Sequence, residues 1–292
     1  MSKNFEDHHM NNPSQPSQEN SPRTMPPLPD DFRQNVLGVR GEEGEEWLRQ
    51  LPNLLNEYSQ KWSLSIGTPE HKLNFNYVVP ADLADGTEAI LKVGWPNPEL
   101  LSEIDILEAY GGKKAVKILK SDREGGALLL ERIRPGQPLT EIQEHDDEEA
   151  IKIAAAVIRD LPVAVPSEGN FPTIVEWAEA FKRLRSEELP SEVVNMLDKA
   201  EELLAELEQS KKEEKLLHGD LHFENILLDK KNGWIAIDPK GVIGDPVYET
   251  ARLLHNGSNL LKKDNPQGII EQRIERLSEI LGYDSGHTLI LC

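Results

Sequence analysis

The chain has a single cysteine, Cys292, among 292 residues. That excludes an internal disulfide framework and a cysteine-built metal site. Basic side chains are scarce beside acidic ones, 32 against 52, for a formal charge of −20. With so few cations the chain is poorly suited to neutralise a nucleic-acid backbone or to hold an anionic membrane surface. Aromatic residues make up only 5%. No run approaches the roughly 20 apolar residues needed to span a bilayer. The N-terminus has no apolar stretch behind a basic start, so no secretory leader is expected and a cytoplasmic protein is.

What is present divides the chain into unlike parts. Residues 1–27 are rich in Asn, Ser, Gln and Pro and have little to bury, which predicts a disordered tail. From Glu42 to Trp62, apolar residues at Trp47, Leu48, Leu51, Leu54, Leu55 and Tyr58 keep helical spacing. Strand-like runs follow at Lys72–Val79 and Glu88–Val93, with Asp85-Gly86 as the turn. Asn97 then caps a helix with Pro98 in its first turn, and Gly111-Gly112 ends it. Two further strands, Ala115–Leu119 and Ala127–Ile133, complete a small α+β unit with an antiparallel sheet. The run Arg134-Pro135-Gly136-Gln137-Pro138 breaks regular structure and marks an expected hinge at 134–138. Beyond it the pattern is mainly helical, at Ile151–Leu161, Ile174–Glu187 and Glu192–Glu214. The expected division is an N-terminal unit at 28–133 and a helical unit at 139–292.

The chemistry concentrates in His218-Gly219-Asp220-Leu221-His222-Phe223-Glu224-Asn225 and the apolar run after it. Lys231-Asn232-Gly233 is a hairpin signal, and the return strand Trp234–Ile237 leads to Asp238. A hairpin here brings Asp220, Asn225 and Asp238 to one edge. Magnesium takes hard oxygen ligands, with one or two carboxylates beside phosphate and water, so Asn225 and Asp238 suit it. Asp220 is then free to accept a proton from an attacking hydroxyl. The paired His218 and His222 lack the glutamate of a zinc motif, so no zinc is expected. Asp245-Pro246 reads as a helix cap, with substrate contact as the alternative for Asp245. Glu249 on that helix faces either the core or the substrate.

His218-x-Asp220-x4-Asn225 followed by Asp238 resembles the catalytic and metal loops of the protein-kinase-like fold. Gly219 and His222 give the form seen in aminoglycoside phosphotransferases. The run from Gly233 to Glu249 is similar to the streptomycin 6-kinase and hydroxyurea kinase branch, as are Lys92–Glu99 and Gly126–Arg132. The resemblance covers about residues 45–283. It implies a bilobal α+β fold with a small antiparallel-sheet N-lobe and a mainly helical C-lobe. It implies ATP and Mg2+ as cofactors and transfer of phosphate to a hydroxyl of a small polar acceptor. It implies that Lys92 contacts the α- and β-phosphates, that Glu103 positions Lys92, and that the backbone of Glu131 and Ile133 meets the adenine edge. His218 and His222 become supporting residues, and Lys240 either reaches phosphate or ties down the loop. A kinase for another metabolite, or a catalytically weak binding module, are the competing readings.

Two departures stand out. The covering loop, Gly67–Asn74, carries one glycine, and Glu70 would repel phosphate unless turned away. The end of the chain, Tyr283–Cys292, replaces the family's aromatic helix with a short apolar tail, which reads as a truncated end leaving an apolar face uncovered. The charge of −20 further predicts a cleft that attracts a cationic acceptor, a better match to streptomycin than to neutral hydroxyurea.

Overall fold

The computed structural model describes residues 28–70, 72–169, 171–185, 189–257 and 260–290. The expected disordered tail, 1–27, lies outside the described residues, as does Glu187 at the end of one expected helix.

Helix α1 (Asp30–Trp62) is broken at Gly41, where φ is 55° and ψ −130°. The part after the break carries the predicted stripe and buries Trp47, Leu48, Leu51, Leu55, Tyr58 and Trp62. The part before it is an addition to the expected helix. Its anchor is Phe32, fully buried, with its ring 6.2 Å from those of Trp47 and Tyr77. Burying such a ring stabilises the segment by about 2–3 kcal/mol.

Strands β1 (Leu64–Ile66), β2 (Tyr77–Leu83) and β3 (Glu88–Val93) follow, then helix α2 (Pro98–Tyr110), then β4 (Ile118–Asp122) and β5 (Ala127–Glu131). They form an antiparallel five-stranded sheet in the order β1-β2-β3-β5-β4. The strand expected at 72–79 starts instead at Tyr77 and runs to Leu83. Pro80 and Asp82 conceal its alternation, yet Tyr77, Val79 and Ala81 all face inward. The strand expected at 115–119 begins at Ile118, because Ala115 and Val116 are drawn away. The Val116 N–H donates to the Ala236 carbonyl at 2.8 Å. Helix α2 matches expectation: the Asn97 side chain accepts the Leu100 N–H, and Gly111 closes the helix in the left-handed region.

The second lobe holds β6 (Pro135–Pro138), α3 (Thr140–Gln143), α4 (Asp147–Asp160), α5 (Ile174–Leu184), α6 (Ser191–Ser210), β7 (Lys215–Leu217), β8 (Ile226–Asp229), β9 (Gly233–Ala236), β10 (Val242–Gly244), α7 (Ala251–His255), α8 (Pro266–Leu281) and α9 (Ser285–Ile290). Segment 134–138 is less irregular than expected: β6 pairs with β8, with a register shift between Pro135 and Gln137. The predicted hairpin is β8–β9. Helix α6 stops at Ser210 rather than 214, since Lys215–Leu217 pairs with β10. The short apolar tail contains α9, and Thr288 within it is buried and accepts the Ser278 hydroxyl at 3.2 Å.

The sheet separates two cores. Ala127 and Leu129 of β5 join α1 in one, while Leu128 and Leu130 join α2 and the second lobe in the other. The period-2 alternation of one strand thus feeds both. The second core also receives Leu221, Phe223 and Ile226, which flank the motif loop. Among the described residues, no helix is long and apolar enough to cross a membrane.

Candidate active site

Lys92 lies on β3, in the middle of the first sheet, and Glu103 lies on α2 against that sheet's inner face. Both are buried. The Lys92 ammonium is 2.7 Å from each Glu103 carboxylate oxygen and is also paired with Asp238. Burial acts to lower the pKa of Lys92, but the two carboxylates outweigh it and hold the ammonium above its usual range. Lys92 in turn is the main reason that Asp238 is lowered to about 2. Burial raises the Glu103 pKa against the pull of Lys92.

The loop between β7 and β8 carries the motif. Gly219 has φ 81°, and a Cβ there would come within 2.8 Å of Trp177 and 2.9 Å of Val242. Glycine is therefore required both by conformation and by space. His218 is fully buried and spans the loop: its Nε2–H donates to the Ile237 carbonyl at 2.9 Å, and its Nδ1 accepts the Asp220 N–H at 3.3 Å. This neutral tautomer agrees with a pKa lowered by burial to about 4. The Asn225 side chain donates to the Asp220 carbonyl at 3.0 Å, while its backbone carbonyl accepts the Ile237 N–H at 2.9 Å. Asp238, next along the chain, sits at φ 62°. The hairpin expectation is thus met: Asp220, Asn225 and Asp238 share one edge.

His222 supports the loop from outside, 2.6 Å from a Glu224 oxygen, and that pairing is the main cause of the Glu224 pKa falling to about 2. The Lys240 backbone N–H donates to the His218 carbonyl at 2.8 Å, its carbonyl accepts the Ser102 hydroxyl at 2.7 Å, and its ammonium pairs with Glu99. Lys240 thus ties down the loop and also borders the cleft.

Two residues with substrate contact as an alternative are scaffold instead. Asp245 caps the short 3-10 helix Pro246–Thr250 through the Val247 N–H and also accepts the Lys212 N–H at 2.9 Å. Glu249, only 2% exposed, lies beneath the loop and accepts the His218 and Gly219 N–H groups. Burial pushes its pKa up to about 7. Glu131 sits at the end of β5, where its N–H donates to the Lys117 carbonyl and its side chain accepts the Lys117 N–H, each at 2.9 Å. Ile133 follows, buried in the core between the sheets. Glu70 of the covering loop pairs with Arg132, so its charge is matched.

Several residues at the cleft were not singled out by sequence. Arg252 of α7 donates from Nε to Asp220 Oδ1 at 2.7 Å. Glu99, Glu176 and Trp177 line the same cavity of about 810 Å³, together with Asp220 and Phe171. A smaller cavity, about 240 Å³, is lined by Lys92, Glu103 and Asp238 with Arg40 and Trp95. Glu99 and Lys240 border both, so the two adjoin at that ion pair. Isolated charges on separate helices leave no periodic signal, which is why they escaped notice.

The donors for a metal fit magnesium. Asn225 spends its amide nitrogen on the Asp220 carbonyl, which leaves its side-chain oxygen for a cation, and Asp238 is held ionised. Among the described residues no group of three or more His, Cys, Asp or Glu gathers as a metal centre. Of the two, Asp238 lines the smaller cavity, and hard oxygen donors of this kind are what magnesium takes up with a nucleotide.

The comparisons agree with this geometry. The chain matches the model of the aminoglycoside/hydroxyurea antibiotic resistance kinase family over residues 68–289. It is 30% identical to streptomycin 6-kinase of Streptomyces griseus, covering 89% of this chain and 85% of that one. It is 31% identical to hydroxyurea phosphotransferase of Kitasatospora aureofaciens, covering 88% of this chain and 74% of that one. Among solved structures, choline kinase LicA from Streptococcus pneumoniae superposes with a TM-score of 0.57 at 16% identity, covering 85% of each chain. The fold is protein-kinase-like, with an antiparallel-sheet N-lobe and a helical C-lobe. The chain belongs to the aminoglycoside/hydroxyurea antibiotic resistance kinase family.

Proposed function

We propose that this protein transfers the γ-phosphoryl group of ATP to a hydroxyl of a small polar acceptor, a streptomycin-like aminoglycoside or hydroxyurea, and so inactivates an antibiotic. The observation that carries this reading is the joining of Lys92, Glu103 and Asp238 in one buried ion cluster beside a loop that presents Asp220 to the larger cavity.

In this reading Lys92 meets the α- and β-phosphates and offsets their charge. The backbone at Glu131 and Ile133 meets the adenine edge. Asn225 and Asp238 hold magnesium, which when bound screens the phosphate oxygens. Asp220 orients the acceptor hydroxyl and takes its proton as the oxygen attacks phosphorus. Phosphoryl transfer asks little covalent help, so positioning and fixed charge supply most of the rate. The lobes divide at 134–138, with 28–133 above the nucleotide and 139–292 beneath it. The need for ATP places the protein in the cytoplasm.

The charge of −20 bears on the acceptor less directly than composition implied. Within the larger cavity Glu99 is matched by Lys240 and Asp220 by Arg252. Glu176 accepts the Thr173 N–H and hydroxyl at the start of α5, has no cationic partner among the described residues, and lines the cavity with the exposed Trp177. A carboxylate next to an indole suits a guanidinium or ammonium group, which supports a cationic acceptor over hydroxyurea.

The test is ATP consumption with streptomycin, hydroxyurea and a panel of amino alcohols and sugars. Turnover with streptomycin is expected. Mg-ATP binding with no turnover on any acceptor overturns the proposal.

A further inference from the structure

We infer that Arg252 is a positioning residue for Asp220, fixing the carboxylate so that only one of its oxygens receives the acceptor's proton. The inference rests on the phosphotransferase reading above and extends it to a residue outside the motif.

The motif loop is held through its backbone. His218 accepts the Asp220 N–H, Asn225 donates to the Asp220 carbonyl, and Glu249 takes two N–H groups from beneath. None of these contacts fixes the rotation of the Asp220 carboxylate. An aspartate's last torsion is broad and roughly two-fold. Arg252 supplies what is missing. Its Nε lies 2.7 Å from Oδ1, a charge-assisted hydrogen bond of normal length. His222 Nε2 lies 3.9 Å from the other oxygen, Oδ2, beyond bonding distance. Oδ1 is engaged, and Oδ2 is left to the cavity where the acceptor sits.

Arg252 is itself well founded. Its neighbours Leu253 and Leu254 are fully buried, and their carbonyls accept hydrogen bonds from the buried Arg273. Its own side chain is 58% exposed, so burial does not hold it in place and the contact with Asp220 is what orders it. The segment from Asp245 to His255 therefore grips the motif loop twice, through Glu249 below and Arg252 from the cavity side.

Other charges face Asp220: His222 in its own loop, His218 and Glu249 beneath, and Lys240, Glu99 and Glu176 around the cavity. Among the described residues Arg252 alone is hydrogen-bonded to an Asp220 carboxylate oxygen. Removing that contact frees the torsion.

The experiment compares wild type, Arg252→Ala and Arg252→Lys by steady-state kinetics, with thermal unfolding as the control for folding. Arg252→Ala is expected to lower kcat about 10- to 100-fold and leave KM for ATP within about two-fold. Arg252→Lys is expected to restore only part of kcat, since an ammonium keeps the charge and loses the guanidinium's fixed geometry. An active wild type with Arg252→Ala unchanged in kcat overturns the inference and leaves the phosphotransferase reading intact. Equal losses in kcat and ATP affinity with a lowered Tm also overturn it, since they show a purely structural residue. A wild type inactive on every acceptor instead removes the reading beneath it.

Discussion

Glu249 lies directly under the motif loop, and its carboxylate accepts the backbone N–H of His218 and, at 3.2 Å, that of Gly219. Two buried titratable residues are thereby joined through the loop backbone, and their pKa values move in opposite directions. Burial raises Glu249 to about 7 and lowers His218 to about 4.

The consequences for stability oppose each other. Glu249 binds its proton more tightly when folded, so its contribution is present at low pH and is lost as pH rises from about 4.5 to 7. His218 binds its proton less tightly when folded, so its contribution is present above about 6.5 and is lost as pH falls toward 4. Each effect is at most about 3 kcal/mol, and in the wild type they largely cancel. Glu249→Gln, which mimics the protonated acid, is expected to gain stability with rising pH between about 4 and 6.5. His218→Asn is expected to lose stability between about 4.5 and 7. Urea unfolding at a series of pH values measures both slopes; parallel slopes in the two variants contradict the assignment.

Lys92→Met removes the cation from a buried cluster and leaves Glu103 without its partner. Breaking one side of a buried pair costs about 3–5 kcal/mol. Activity is expected to fall about 100-fold or more, since in the proposed reaction Lys92 neutralises phosphate charge. The double variant Lys92→Met with Glu103→Leu is expected to regain much of the lost stability and none of the activity. Calorimetry and ATP turnover on the same samples separate the two effects.

Asp220→Ala is expected to abolish transfer while Mg-ATP affinity stays within about three-fold, because in the proposed reaction the residue meets the acceptor rather than the nucleotide. Asp238→Ala should do the reverse, weakening Mg-ATP at least 10-fold. Isothermal titration with Mg-ATP distinguishes them. Full activity of Asp220→Ala would show that the proton goes elsewhere.

Arg273 is fully buried and holds three parts of the second lobe together. It pairs with Asp147 at the start of α4, donates to the carbonyls of Leu253, Leu254 and Asn256 at the end of α7, and lies 5.3 Å from the centre of the Phe223 ring. Arg273→Met leaves Asp147 unpaired and three carbonyls short of a donor. A loss of about 3–5 kcal/mol is expected, and Arg273→Lys recovers only part of it, since one ammonium cannot span both groups. The shift in the urea midpoint measures it.

Local signals account for much of the agreement between sequence and structure. Asn97-Pro98 and Gly111 bound α2 as written because a cap is a bond between near neighbours. The turn at Lys231-Asn232-Gly233 sets the β8–β9 register, and this brings Asn225 and Asp238 together. Where the expectation slipped, a distant partner had intervened. Ala115 and Val116 leave the first sheet because Ala236 of the second lobe pairs with them. The first turns of α1 carry too few apolar residues to signal a helix, and Phe32 makes them stable only by reaching Trp47 and Tyr77. Helix α9 is ordered by Thr288 meeting Ser278 across 10 residues.

The sequence by itself determined the candidate set, Lys92, Glu103, Asp220, Asn225 and Asp238, because type, order and spacing are properties of the chain alone. Only the tertiary structure decided what each neighbour does with its charge. Glu249 turned inward to hold the loop, Asp245 became a cap, and Arg252 came to rest on Asp220. The physical reason is that a charged side chain's role depends on its partner and its exposure to water. Both are fixed by elements that meet only when the chain has folded.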